Sequence, residues 1–168
     1  VLEAFGWNGS RQKPIFSRDA EPNVIQPGIL ENGILTQSLS RASWKSELAN
    51  LAVDAKSPEA LLENLFLRFL SRMPLPTERD SFLPELKSGF EKRLTPPDQI
   101  TEPAPLEPLR LVTWLNHVIP DANTIQQENE NRVQRGPSPD PRLRPEWREV
   151  YEDIIWSLIC HRDFVWIP

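Results

Sequence analysis

Residues 57–79, SPEALLENLFLRFLSRMPLPTER, hold the densest apolar run of the chain and its clearest start and stop signals. Ser57 is a good N-cap, and Pro58 falls at the first helical position, where its missing N–H costs nothing. Leu61, Leu62, Leu65, Phe66 and Phe69 recur at the spacing of one helical face; Leu70 widens it and Leu67 lies opposite. The pattern predicts a helix ending before Pro74, apolar on both sides and buried in the middle of a bundle. Each such side chain contributes about 1.5–3 kcal/mol on full burial, so packing and not propensity holds this helix.

Working outward, Val24–Glu31 reads as a short helix stopped by Asn32-Gly33, with a second turn over Ile34–Leu39. Ser43 can cap a helix that places Trp44, Leu48, Leu51 and Ala52 on one face and ends near Ala55. Beyond the central run, Thr77 with Asp80 predicts a capped helix carrying Phe82, Leu83, Leu86, Phe90 and Leu94. Pro84 inside it predicts a kink or a late start. Pro108 and the apolar series Leu111, Val112, Trp114, Leu115 and Val118 predict a helix over Glu107–Val118. Asp121–Arg144 is polar, either a short solvated helix around Ile125–Val133 or a long surface loop. Pro145 opens the last helix, with Trp147, Val150, Tyr151, Ile154, Ile155, Leu158 and Ile159 as a full stripe. Phe164–Ile167 is the best candidate strand.

The chain has 168 residues, 39% of them hydrophobic, with six Trp and seven Phe, enough for one core. A net charge of −5 argues against non-specific nucleic-acid binding and against a polybasic membrane contact. No apolar run approaches the ~20 residues of a membrane span. No signal peptide is in view, but residue 1 is Val and the one methionine is Met73. The chain therefore reads as processed or cut from something longer, and a lost leader stays open. The single cysteine, Cys160, leaves no internal disulfide. Ten of the 18 prolines lie between Thr95 and Pro145, which marks 95–145 as one long irregular excursion.

Few residues invite chemistry. Arg18, Asp19, Glu21 and Asn23 form a polar cluster that is either a site loop or a loop satisfying its own backbone. His117 follows Asn116 near a predicted helix end. It is either a C-terminal cap or an acid/base group oriented by Asn116 or Asp121. An enzymatic reading needs Asp19, Glu21, Asn116 and His117 in one cleft. Cys160-His161 supplies only the end of a C-x-x-C-H haem attachment. One Cys and two His in the whole chain fall short of a zinc site, so no metal or cofactor is expected here. Trp156 points about 160° from its helix's stripe, among Glu149, Glu152 and Asp153. It calls for a covering segment, either the stretch with Phe5 and Trp7 or the Pro-rich excursion, or else for a partner.

Several strings together resemble a known family: VLEAFG, RDAEPNVIQ, LENGIL, ENLFLRFLSRMPLPTER, VTWLNHVIPDAN and WREVYEDIIWSLICHRDFVWIP. They span nearly the whole chain and look like the domain of unknown function 1553, typical of exported planctomycete proteins. The resemblance implies the C-terminal module of a larger protein, preceded by a cytochrome-c-like domain and another domain of unknown function. It implies an exported, periplasmic or envelope location, a tie to polysaccharide or redox processes, and haem c only upstream. It carries no established catalytic residues. The chain departs from the family at Cys160-His161, where an Asn-Ser or Asn-Thr pair is usual, and at Arg144, where a capping Thr is frequent. Its start resembles the middle of the family domain, so part of the core is expected from residues outside it.

The expected architecture is an all-α, irregular bundle of about five helices forming one module over residues 1–168. The expected role is a structural or interaction module whose partners are the upstream domains of the same polypeptide, with Trp114 and Trp156 as interaction residues. The rivals are part of an envelope enzyme, or a docking module for the cytochrome-like domain.

Overall fold

The computed structural model describes Ala4, residues 25–105 and residues 107–165. The readings that fall on Phe5, Trp7 and the Arg18–Asn23 cluster lie outside the described residues. The described chain is all helical, with two isolated β-bridges and no strand. Its eight helices are α1 (Ile25–Asn32), α2 (Ile34–Ser40), α3 (Glu47–Asp54), α4 (Pro58–Leu70), α5 (Pro76–Lys87), α6 (Ala122–Arg135), α7 (Pro145–Ile159) and α8 (Arg162–Val165). They exceed the expected five because α1, α2 and α8 are separate short pieces and α6 is a full helix.

The C-terminal helix, not the central run, is the hub: α7 packs against α2, α4, α5 and α8. Its stripe delivers Trp147, Tyr151, Ile154, Ile155, Leu158 and Ile159 to the core. The buried polar tips find partners: the Trp147 indole N–H donates to the Leu86 carbonyl (3.1 Å), and the Tyr151 hydroxyl to the Leu48 carbonyl (2.9 Å). Burial pushes the Tyr151 hydroxyl well above its ordinary value. Helix α4 begins as its sequence dictates, with Ser57 Oγ accepting from the Ala60 N–H at 3.1 Å and Pro58 in the first turn. It is one-sided, however: Leu61, Leu62, Leu65 and Phe66 are buried, whereas Leu67 is 48% exposed. Among the described residues no element covers the far side, which corrects the two-sided expectation there.

Other boundaries shift for local reasons. The cap of α3 is Ser46, which accepts from the Ala49 N–H, and not Ser43. Trp44 stays in the preceding turn because Lys45 adopts a left-handed φ of 56°, its N–H held by the Asp140 carboxylate at 3.0 Å. Helix α5 starts before Thr77: Pro76 takes the first position and Glu78 reaches back to the Leu75 N–H at 2.7 Å. It runs through Pro84 and ends at Lys87, so Phe90 and Leu94 are not on it. Gly89, at φ 76°, turns the chain, Phe90 is buried in a 3-10 turn, and Leu94 bridges Leu143. Between α1 and α2 only glycine fits at Gly33, since a Cβ there would lie 2.1 Å from the Ile29 carbonyl oxygen.

Residues 107–118 form no helix. They run irregularly into turns over 114–120, and the fold's own helix in this region is α6. The expected strand at Phe164–Ile167 is replaced, in its described part, by α8. The His161 ring accepts from the Asp163 N–H at 3.1 Å, and the Phe164 N–H bonds the His161 carbonyl at 3.0 Å, which winds a turn.

Candidate functional site

The Pro-rich excursion forms an arm. It leaves the body after Leu94 and returns at Leu143, where the bridge between these two residues and the Thr95 N–H to Arg142 carbonyl bond (2.8 Å) close its base. A second stitch is the fully buried Asp140. Its carboxylate accepts from the backbone N–H groups of Lys45 and Arg142 and from the Arg142 guanidinium, which also reaches Asn50 Oδ1 at 2.8 Å. Burial opposes its ionisation, but these donors win and hold its carboxyl below the ordinary value.

Helix α6, 14 residues and so about 21 Å long, is the returning half of the arm. Its C-terminus is held to the body by Arg41, which donates to the carbonyls of Arg135 and Pro137. Its flank is tied to the outgoing half: Asn129 donates to the Arg110 carbonyl (2.7 Å) and Arg132 to the Glu107 carbonyl (2.6 Å). The buried residues of α6, Ala122 and Ile125, do not belong to the main core. The turn before α6 is therefore the tip of the arm, roughly a helix length from the Arg41 anchor. There Trp114 is 89%, Leu115 96% and Val118 81% exposed.

Asn116 and His117 lie in this tip. Asn116 closes the turn itself, its oxygen accepting from the Thr113 N–H and hydroxyl and its amide donating to the Leu111 carbonyl at 2.9 Å. His117 Nδ1 lies 2.7 Å from the Trp114 carbonyl, and its ring meets the Trp114 indole edge to face, with centroids 5.4 Å apart. Without the predicted helix, His117 caps no helix C-terminus. Asp19 and Glu21 lie outside the described residues.

Cys160 and His161 part company. The Cys160 thiol lies 3.7 Å from the Leu30 carbonyl, and four residues earlier the Trp156 indole N–H donates to the Glu31 carbonyl at 3.1 Å. Both side chains thus cap the last turn of α1, whose carbonyls have no partners within the helix. This corrects the expected cover for Trp156: the half-buried indole lies against α1, not against the Pro-rich excursion, and the Phe5–Trp7 stretch is outside the described residues. Burial, reinforced by Glu31, pushes the Cys160 thiol up, away from the reactive thiolate.

His161 turns instead to a charged cluster that the sequence reading missed. Arg72, after α4, donates to both oxygens of Glu78 (2.7 and 2.8 Å) and to Asp163 Oδ2 (2.9 and 3.0 Å). His161 Nε2 lies 3.7 Å from Glu78 and Nδ1 3.7 Å from Asp163. Among the described residues no group of three or more His, Cys, Asp or Glu side chains is arranged to hold a metal ion. The cluster instead ties α4, α5 and α8 together.

A pH dependence follows. The Arg72 hydrogen bonds hold the Glu78 carboxyl down to about 2 and also hold Asp163 below its ordinary value. A carboxyl depressed in the fold stabilises it above its unfolded value, near 4.5 for Glu, and loses that contribution as pH falls through the folded value. Glu152, raised by burial, works in the opposite sense. The urea midpoint is expected to drop between about pH 5 and pH 2, and Arg72→Gln to flatten that slope while lowering stability at pH 6. An unchanged slope in Arg72→Gln would assign the acid sensitivity elsewhere.

No family model, curated protein or solved structure matches this chain. Among the described residues, no helix is long and apolar enough to cross a membrane.

Proposed function

We propose that this chain is a non-catalytic interaction module of a multidomain exported or cell-envelope protein, and that the tip of the arm docks on the upstream domains of the same polypeptide. The observation that carries this reading is the exposure of Trp114, Leu115 and Val118 together at the end of an arm tied down at its base. Contiguous large apolar side chains held away from a core mark contact surfaces. Tryptophan is the residue type most enriched among those that dominate binding energy. The resemblance to the domain of unknown function 1553 supports the choice of occupant, since it implies preceding domains, one of them cytochrome-c-like and holding haem c.

The test mixes this chain with the separately expressed upstream part and measures association by calorimetry. Trp114→Ala is expected to weaken binding at least tenfold, as a central aromatic does. Its own unfolding free energy should stay within about 0.5 kcal/mol of wild type, because the indole packs on no core. Wild-type affinity in Trp114→Ala would sink the proposal.

A further inference from the structure

A cavity of about 440 Å³ lies at the foot of the arm, between the end of α6 and the body. Arg41, Arg132 and Arg135 line it, with Pro105, Pro137 and Pro139 among its walls. Elsewhere, Arg68, Arg72, Arg79, Arg142, Arg148 and Arg162 each meet a carboxylate at ion-pair distance. Among the described residues Arg41, Arg132 and Arg135 meet none, as is also true of Arg93, Arg110 and Arg144, but the first three face one cavity together.

Backbone carbonyls fix these guanidiniums without neutralising them. Arg41 Nη1 takes the Arg135 and Pro137 carbonyls, Arg132 Nη1 the Glu107 carbonyl, and Arg135 Nε the Asn131 carbonyl at 3.4 Å. A guanidinium has five N–H donors, so each keeps several for another acceptor. Glu107 is the one acidic residue of the lining among the described residues. Three guanidiniums outweigh it together with the half charge of a helix C-terminus. Glu152 feels the charge of Arg41, but its Oε1 accepts from the Ala42 N–H at 2.9 Å and lies 3.5 Å from Arg148. Gly136, at φ 66°, keeps the backbone clear, since a Cβ there would lie 2.9 Å from Arg41 Nη1.

Basic residues often gather at helix C-termini for the dipole alone. That accounts for Arg132 and Arg135 lying in the last turn of α6. It accounts as well for Arg41, which donates to the Arg135 carbonyl at the end of α6, but not for the reach of Arg132 across to Glu107 or for all three guanidiniums meeting at one cavity. We propose that this cavity binds the phosphate or sulfate group of a small organic molecule. The guanidinium forks match a tetrahedral oxyanion, and the proline walls lie against the organic part. The volume exceeds that of a bare ion and falls within the roughly 300–1,000 Å³ of small-molecule sites.

The experiment titrates the full chain with inorganic phosphate, inorganic sulfate and glucose 6-phosphate at constant ionic strength, following arginine Nε–H resonances by NMR. Saturable binding is expected, tightest for glucose 6-phosphate if the natural ligand is phosphorylated and for sulfate if it is sulfated. Arg132→Gln and Arg135→Gln should each weaken binding about tenfold or more, the scale of a lost charged hydrogen bond. Arg110→Gln, on the arm but outside the cavity, should bind as wild type. Among the described residues the Arg135 side chain makes one bond, a long one to its own helix, so that variant keeps the arm folded, which circular dichroism checks. Absence of saturable binding by all three probes would overturn the proposal, as would equal binding by wild type and Arg135→Gln. The site is separate from the apolar tip, so Trp114→Ala should leave it intact.

Discussion

Leu65→Ala is expected to cost about 2–5 kcal/mol of unfolding free energy, the range for a leucine truncated in a packed core. Leu65 is fully buried on α4 within the cluster that also holds Leu61, Leu62, Phe66, Tyr151, Ile155 and Leu158. Helix α4 packs on α5, α7 and α8, so the void opens where several elements meet and none can move in alone. The size of the loss depends on how far that site collapses, which is why the range is wide. Leu67→Ala on the same helix is the matched control. Half of its side chain is already in water, and its expected cost is below about 1 kcal/mol. Urea unfolding of the two variants checks both values. A Leu65→Ala loss under about 1 kcal/mol, or equal losses at the two positions, would mean that α4 is packed differently.

What was legible in the sequence was local. Ser57 with Pro58 and the stripe from Trp147 to Ile159 declare their helices because cap, proline and spacing act within a few turns. The same logic misplaced 107–118. Leu111, Trp114, Leu115 and Val118 have helical spacing, but that spacing stabilises a helix only where a surface receives it. Here Asn116 bonds Thr113 and Leu111 instead, offering the backbone a turn, and α6 buries other residues. Trp114 could thus be proposed as a contact residue from the sequence, while its exposed setting in a turn could not be read there. Asp140, Arg72 and the three cavity arginines left no signal, because their partners are mostly distant in sequence or backbone atoms. Arg41 reaches carbonyls 94 and 96 residues away, a separation no periodicity encodes.

Arg93 is the sharpest case, and Arg93→Met carries the second large expected effect, about 3–5 kcal/mol. The Arg93 side chain is buried and meets no carboxylate at ion-pair distance among the described residues. Its Nε donates to the Ala52 carbonyl at 2.9 Å, Nη2 to those of Val53 (3.1 Å) and Ala55 (2.8 Å), and Nη1 to that of Phe90 (3.1 Å). The guanidinium carbon lies 3.9 Å from the Phe90 ring centroid. Three of those carbonyls belong to the end of α3, where the last turn has no partners of its own, so Arg93 is a C-cap delivered from 38 to 41 residues away. Desolvation opposes this charge and lowers its pKa, with Glu91 acting the other way. Methionine keeps the stem but strands the carbonyls, each costing about 1–3 kcal/mol if water cannot reach it. Relief of the charge's own desolvation offsets part of that sum. Arg93→Lys restores a cation without the planar fork and should fall between the two, since one ammonium cannot face four carbonyls at once. Urea unfolding of both variants, with amide exchange of α3, reads the effect: α3 should lose protection before α4 does. If Arg93→Met unfolds within about 1 kcal/mol of wild type, the desolvation of the charge has cancelled its four bonds, and the junction is held by its apolar contacts alone.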